Sequence, residues 1–117
     1  MTDEVTIYYN PRCSKCRLTL ELLEQQGQQT RIVEYLRTPP TAEALAAILD
    51  MLGLEPRQLM RTHEQEYAAA GLDNPDLTRD QLIAAMVSYP RLIERPIVIK
   101  DGKAAIGRPP QKVLDIL

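Results

Sequence analysis

The sequence contains no phenylalanine and no tryptophan. Its core must therefore be aliphatic, built from Leu, Ile, Val, Met and Ala. It has two cysteines and one histidine, His63, too few Cys and His side chains to close a four-ligand zinc site within one chain. No segment approaches the roughly 18 consecutive apolar residues that a membrane span needs. The opening MTDEVTIYYN lacks the basic start and apolar run of a secretory signal. No basic block occurs, and the formal charge is −2, so composition offers no reason to expect nucleic-acid binding. A cytoplasmic protein is expected, in a compartment where thiols stay reduced. A membrane contact is not expected, and a monomer is.

What is present is ordinary globular stock. The 117 residues are 44% hydrophobic and 26% charged, enough for one domain over 1–117 with a core of its own. EVTIYY (4–9) reads as a strand from its β-branched and aromatic residues. NPR is turn material, and residues 13–26 favour a helix stopped by Gly27. Leu18 and Leu22 form one apolar stripe on it. Cys16, Leu20 and Leu23 form another, so the helix is expected between a sheet and a second neighbour. TRIVEYL (30–36) reads as a second strand, parallel to the first by the β-α-β pattern.

The middle, about 41–90, is helical. Thr41 is a candidate N-cap for a helix ending at Gly53. One or two short helices fit between Pro56 and Gly71, and Thr78 with Gln81 makes a capping box for another that runs to Pro90. RPIVIKDGKAAIG then reads as a hairpin turning at Asp101-Gly102, and RPPQKVLDIL as a closing helix. The order is β-α-β, a helical insertion, then β-β-α.

The stretch NPRCSKCR carries the chemistry. Cys13 is placed at the start of a helix, where unpaired backbone N–H groups and the helix dipole favour a thiolate. A fall in its pKa from about 8.5 to about 6.5 would raise the thiolate fraction at pH 7 from about 3% to about 76%. Arg12, Lys15 and Arg17 add positive charge, and the same helix end attracts anions. A C-x-x-C that opens a helix after a strand is a thioredoxin-like signal; of the two cysteines, Cys16 is the better fit to an inert buried thiol, since it shares a stripe with Leu20 and Leu23. His63, in the polar run MRTHEQE, reads as a solvated side chain. Glu64, Glu66 and Asp76 show no pairing that asks for acid–base work.

YYNPRCSKCRLTLELLEQQG, LMR, ERPIVIKDGKAAIGRPP and the terminal segment together resemble the ArsC-type, glutaredoxin-dependent arsenate reductases, over essentially the whole chain. The pattern N-P-x-C-x-x-x-R is present as Asn10, Pro11, Cys13 and Arg17. The resemblance implies an α/β, thioredoxin-like fold with a mixed four-stranded sheet and a helical insertion. It implies that Cys13 is the nucleophile, that Arg61, Arg95 and Arg108 hold an oxyanion, and that Pro96 is a cis proline beside the cysteine. Asn10, Pro11, Arg17 and Pro96 would support the site. Arsenate or a similar oxyanion would be the substrate, glutathione the co-substrate and glutaredoxin the protein partner, with no bound cofactor and no metal.

Two positions depart from the family pattern. Tyr9 stands where the family commonly has His, and a phenol supplies no cation. Cys16 stands where many members have a residue such as Ser; at i+3 it faces the same side as Cys13 and could resolve a mixed disulfide there. The C-x-x-C also resembles the Spx-type regulators, in which an oxidised pair tunes binding to a protein partner. A redox-sensing module with a Cys13–Cys16 switch is thus the alternative to an enzyme.

Overall fold

The computed structural model describes residues 4–117; Met1, Thr2 and Asp3, within the 1–117 domain expected from sequence, lie outside the described residues. The chain divides into two compact units, one formed by the chain up to Thr38 together with Arg95–Leu117, the other by Pro39–Glu94.

The first unit holds a four-stranded mixed sheet. Strands β1 (Glu4–Tyr8), β2 (Gln29–Val33), β3 (Ile97–Lys100) and β4 (Lys103–Ile106) lie in the order β2-β1-β3-β4. β1 and β2 are parallel, with Ile7 beside Ile32, and the β1–β3 and β3–β4 pairs are antiparallel. Helix α1 (Ser14–Gln25) makes the crossover between β1 and β2. This is the thioredoxin-like arrangement expected from sequence. α1 ends in a Schellman turn: Gly27, at φ 70°, donates to the Glu24 carbonyl and Gln28 to that of Leu23. The β3–β4 hairpin turns through Asp101 (φ 50°) and Gly102 (φ 76°), the left-handed pair that a two-residue turn needs.

The core of this unit follows from strand alternation. Val5 and Ile7 point to one face of β1. There they meet Val98 of β3, Leu23 of α1 and Val113, all fully buried. Val113 belongs to a closing segment, Pro110–Ile116, which is a 3₁₀ helix. The local reason is its hydrogen bonding, in which Lys112 reaches back to Pro109 and Leu117 to Leu114, three residues each.

Two further expectations change. β2 ends at Val33, not at residue 36. Its partner β1 stops at Tyr8, and the Glu34 carbonyl instead accepts the N–H groups of Arg37 and Thr38, turning the chain and burying Tyr35. α1 buries only the Cys16–Thr19–Leu23 side; Leu18, on the second stripe, is 52% exposed, so the helix is not enclosed on two sides.

The second unit contains α2 (Ala42–Leu52), α3 (Pro56–Leu59), α4 (Gln65–Ala69) and α5 (Arg79–Ser88), followed by a 3₁₀ turn at Pro90–Leu92. Thr41 caps α2 by accepting from the Ala44 N–H, and Thr78 and Gln81 form a reciprocal capping box on α5. Leu45, Ile48 and Leu49 of α2 and Leu82, Ile83 and Met86 of α5 are buried. No helix among the described residues is long and apolar enough to cross a membrane.

Candidate active site

β1 delivers the chain to a turn whose geometry is set by Asn10 and Pro11. The Asn10 side chain accepts the Arg12 N–H at 3.0 Å, and its carbonyl accepts the Cys13 N–H at 3.0 Å. Arg17, one turn into α1, donates to the Pro11 carbonyl at 2.9 Å and so ties the turn to the helix. The result places Cys13 as the N-cap of α1, in an extended conformation, its carbonyl receiving the Arg17 N–H. Cys13 is thus the residue before the helix begins, not its first helical residue.

Cys13 is 7% exposed, and burial by itself works against the ionisation of its thiol. Three donors outweigh that cost: the Cys16 N–H, the Arg95 guanidinium and the Cys16 thiol, with the charge of Arg95 acting besides. Together they bring its pKa down to about 7, leaving about half of it as thiolate at neutral pH. Arg95, remote in sequence, is the cation that acts on the sulfur; Arg17 is committed to the Pro11 carbonyl instead. Arg108 joins from the other end of the hairpin. Its Nε donates to the Arg95 carbonyl at 2.8 Å, and its Nη2 lies 3.8 Å from the Cys13 sulfur.

Cys16 lies beneath, fully buried on the inner face of α1. Burial pushes its thiol up to about 12, against a hydrogen bond from the Asn10 N–H, and the neighbouring Cys13 adds to the rise. Both cysteines are free thiols. One is poised to ionise and the other to stay protonated and donate to it.

The two arginines arrive through prolines. Arg95–Pro96 and Arg108–Pro109 are both cis. Between them Gly107 is pinned, its N–H donating to the Pro96 carbonyl at 3.0 Å. A Cβ on Gly107 would sit 2.5 Å from Thr19 Oγ1 and 2.8 Å from Pro96 Cγ, so only glycine lets the chain just after β4 pass this close to α1.

Asn10, Pro11, Cys13, Cys16, Arg17, Arg95, Pro96 and Arg108 therefore all belong to the sheet-bearing unit. Arg61 belongs to the other. There its Nε is 3.2 Å from Glu64 Oε1, its Nη1 3.0 Å from Glu94 Oε1, and its Nη2 3.2 Å from His63 Nε2. Glu64 also pairs with Arg91 at 3.2 Å. Burial opposes ionisation of Glu64, but Arg61 and Arg91 together hold its carboxyl below the usual range. His63 is 68% exposed, in keeping with a solvated role. Sequence reasoning passed over Gly107, because it marks no turn, and Tyr35, a buried phenol close enough to Arg95 to act on its charge.

A buried thiol at a helix N-terminus, with the guanidinium groups of Arg95 and Arg108 close to its sulfur, is set in a thioredoxin-like fold. The model of the ArsC family matches residues 8–116, and the chain belongs to that family. It is 49% identical over 118 residues to the protein YfgD of Escherichia coli K12, covering 100% of this chain and 99% of that protein. It is 46% identical over 115 residues to an arsenate reductase of Neisseria meningitidis, covering 97% and 98%. The solved structure of an arsenate reductase from Vibrio cholerae superposes with a TM-score of 0.96, at 47% identity and full coverage of both chains.

Proposed function

We propose that this chain reduces arsenate, with Cys13 as the nucleophile. The observation that carries the reading is the Cys13 sulfur itself, held near a pKa of 7 with Arg95 hydrogen-bonded to it and Arg108 at 3.8 Å. Membership of a family that includes arsenate reductases supplies the substrate class. Arsenate carries about the charge of phosphate. Guanidinium forks meet such oxygens in charge-assisted, bidentate hydrogen bonds and offset the repulsion between oxyanion and thiolate.

In this scheme the Cys13 thiolate attacks arsenic, an As–S bond forms and an arsenate oxygen leaves as water. Glutathione then attacks the Cys13 sulfur. The As–S electron pair passes to arsenic, which leaves as trivalent arsenite, and a Cys13–glutathione disulfide remains. Glutaredoxin reduces that disulfide and frees the enzyme. Two thiols lose two electrons and arsenic gains two. Arg61 enters as a third oxyanion ligand by family resemblance alone. For it to serve, the oxyanion must compete with Glu64 and Glu94 for its guanidinium.

The test is arsenate-dependent NADPH oxidation coupled through glutathione, glutaredoxin and glutathione reductase. Turnover in the natural protein and none in Cys13→Ser is expected. Full activity of Cys13→Ser would overturn the reading.

A second reading rests on the Cys16 thiol, which hydrogen-bonds to the Cys13 sulfur. There Cys16 resolves the Cys13 adduct internally, and the resulting disulfide serves as a redox switch toward a protein partner. It gains if a folded protein turns over no arsenate yet forms the Cys13–Cys16 disulfide reversibly.

A further inference from the structure

The two ends of the hairpin that carry the arginines are tied to each other. Gly107 donates its N–H to the Pro96 carbonyl at 3.0 Å, and Arg108 Nε donates to the Arg95 carbonyl at 2.8 Å. Residues 95–96 and 107–108 are thereby coupled, and α1 meets them at two points. At its N-terminus the Cys13 sulfur lies 3.8 Å from Arg108 Nη2. Further down the helix, about 9 Å along its axis, Thr19 lies against Gly107. The place a Cβ would take on Gly107 is 2.5 Å from Thr19 Oγ1 and 3.2 Å from Thr19 Cγ2.

From this geometry we infer that Thr19 is a positioning residue for the site: its hydroxyl oxygen is the spacer that lets residues 107–108 approach α1 closely enough for Arg108 to reach the Cys13 sulfur. Its effect on turnover rests on the reading of Cys13 as the nucleophile; its effect on the sulfur does not.

Thr19 is fully buried, and its Oγ1 has no hydrogen-bond partner among the described residues. An unpaired buried hydroxyl lowers stability, so packing alone would be better served by valine, which has no polar atom to satisfy. Valine, however, sets a bulkier methyl group where the oxygen now faces Gly107. Pro96 Cγ closes the other side, 2.8 Å from the same Cβ position. Overpacking of this kind is relieved by backbone shifts. α1 is anchored through Leu23 in the core with Val5 and Ile7, so the hairpin end is the part that gives way. Arg108 follows Gly107 directly, and its contact with sulfur is already long, so a small displacement parts it. The charged and titratable groups at that sulfur are Arg95 and Arg108 from the hairpin and the Cys16 thiol from α1. Withdrawing a cation from among them favours the thiol over the thiolate.

The experiment compares the natural protein, Thr19→Val and Thr19→Ser by the pH profile of Cys13 alkylation with iodoacetamide, with a thermal melt on each. Thr19→Val should move the midpoint up by at least about half a unit, which slows labelling at pH 6 roughly threefold. Thr19→Ser keeps the oxygen and should keep the natural midpoint within about 0.2 unit. A role in packing alone would move the melting temperature and leave the midpoint in place. A folded Thr19→Val protein with the natural midpoint, or a Thr19→Ser protein shifted as far as Thr19→Val, would overturn the proposal. If Thr19→Val does not fold, Gly107→Ala decides, since it crowds the same contact from the other side. Its midpoint should rise and return when Thr19→Ala is added; an unmoved midpoint, or one that the second change does not restore, overturns the proposal. No arsenate enters the assay, so the outcome stands apart from that of the reductase test.

Discussion

Gly107→Ala tests how closely the hairpin and α1 are fitted at the site. Gly107 has none of the left-handed φ values found at Gly27, Gly53, Gly71 and Gly102, so its backbone conformation admits alanine. On conformational grounds alone the change would stabilise by about 0.4–1 kcal/mol, by restricting the unfolded chain. Space opposes it. The new methyl would meet Thr19 Oγ1 at 2.5 Å, Thr19 Cγ2 at 3.2 Å and Pro96 Cγ at 2.8 Å. Thr19 is fully buried, so its side chain has little free space to turn into, and Pro96 can move Cγ only by repuckering its ring. Overpacking of this kind costs about 1–3 kcal/mol. The net loss is then about 1–2 kcal/mol, a fall in melting temperature of roughly 3–10 °C for a chain of this size. Circular dichroism at 222 nm during thermal unfolding reads it. The companion is Thr19→Ala, which removes both crowding atoms together with a buried hydroxyl that has no hydrogen-bond partner. The double variant should recover at least about 0.5 kcal/mol beyond additivity. A Gly107→Ala protein that melts at or above the natural temperature, or a double variant with strictly additive loss, would refute the close-approach argument.

The Cys13 alkylation rate with iodoacetamide should follow a sigmoid in pH with its midpoint near 7, falling as acid protonates the thiolate, while Cys16 stays unlabelled; a midpoint at the ordinary thiol value of about 8.5 would sink the claim. Because the folded-state pKa of Cys13 is depressed, its ionisation supports the fold fully above that ordinary value, and the support is lost as pH falls through about 7. Arg95→Lys replaces a fork with a point charge and should raise KM for arsenate about tenfold, with an unchanged KM ruling out Arg95 as an oxyanion ligand. Thr78→Ala removes the α5 cap and should cost about 1 kcal/mol in urea unfolding; a change within about 0.3 kcal/mol would show that the cap contributes little.

Much of the fold was legible because its signals are local. The α2 cap at Thr41, the Thr78–Gln81 box, the Gly27 stop and the Asp101-Gly102 turn each depend on hydrogen bonds spanning a few residues, and each lies where its sequence pattern places it. The errors fall where a neighbour remote in sequence intervenes. β2 stops early because β1 offers it no further partner. Leu18 looks like core from its spacing but faces outward, since periodicity along a helix does not say how many sides will be covered.

By itself the sequence determined the element order, the placing of Cys13 at the start of α1 with Cys16 one turn below, and the residue types suited to an oxyanion. A helix N-terminus is a local object, so its positive potential comes with the NPRC turn. Only the tertiary structure decided which cations reach the sulfur. Arg108 meets Cys13 across 95 positions of chain because the sheet order sets β3 beside β1 and brings the hairpin ends to the helix. Arg12, Lys15 and Arg17 are nearer in sequence, yet Arg95 and Arg108 are the cations at the thiol. Strand pairing and close packing at Gly107 set those distances, and neither is written in any short stretch of residues.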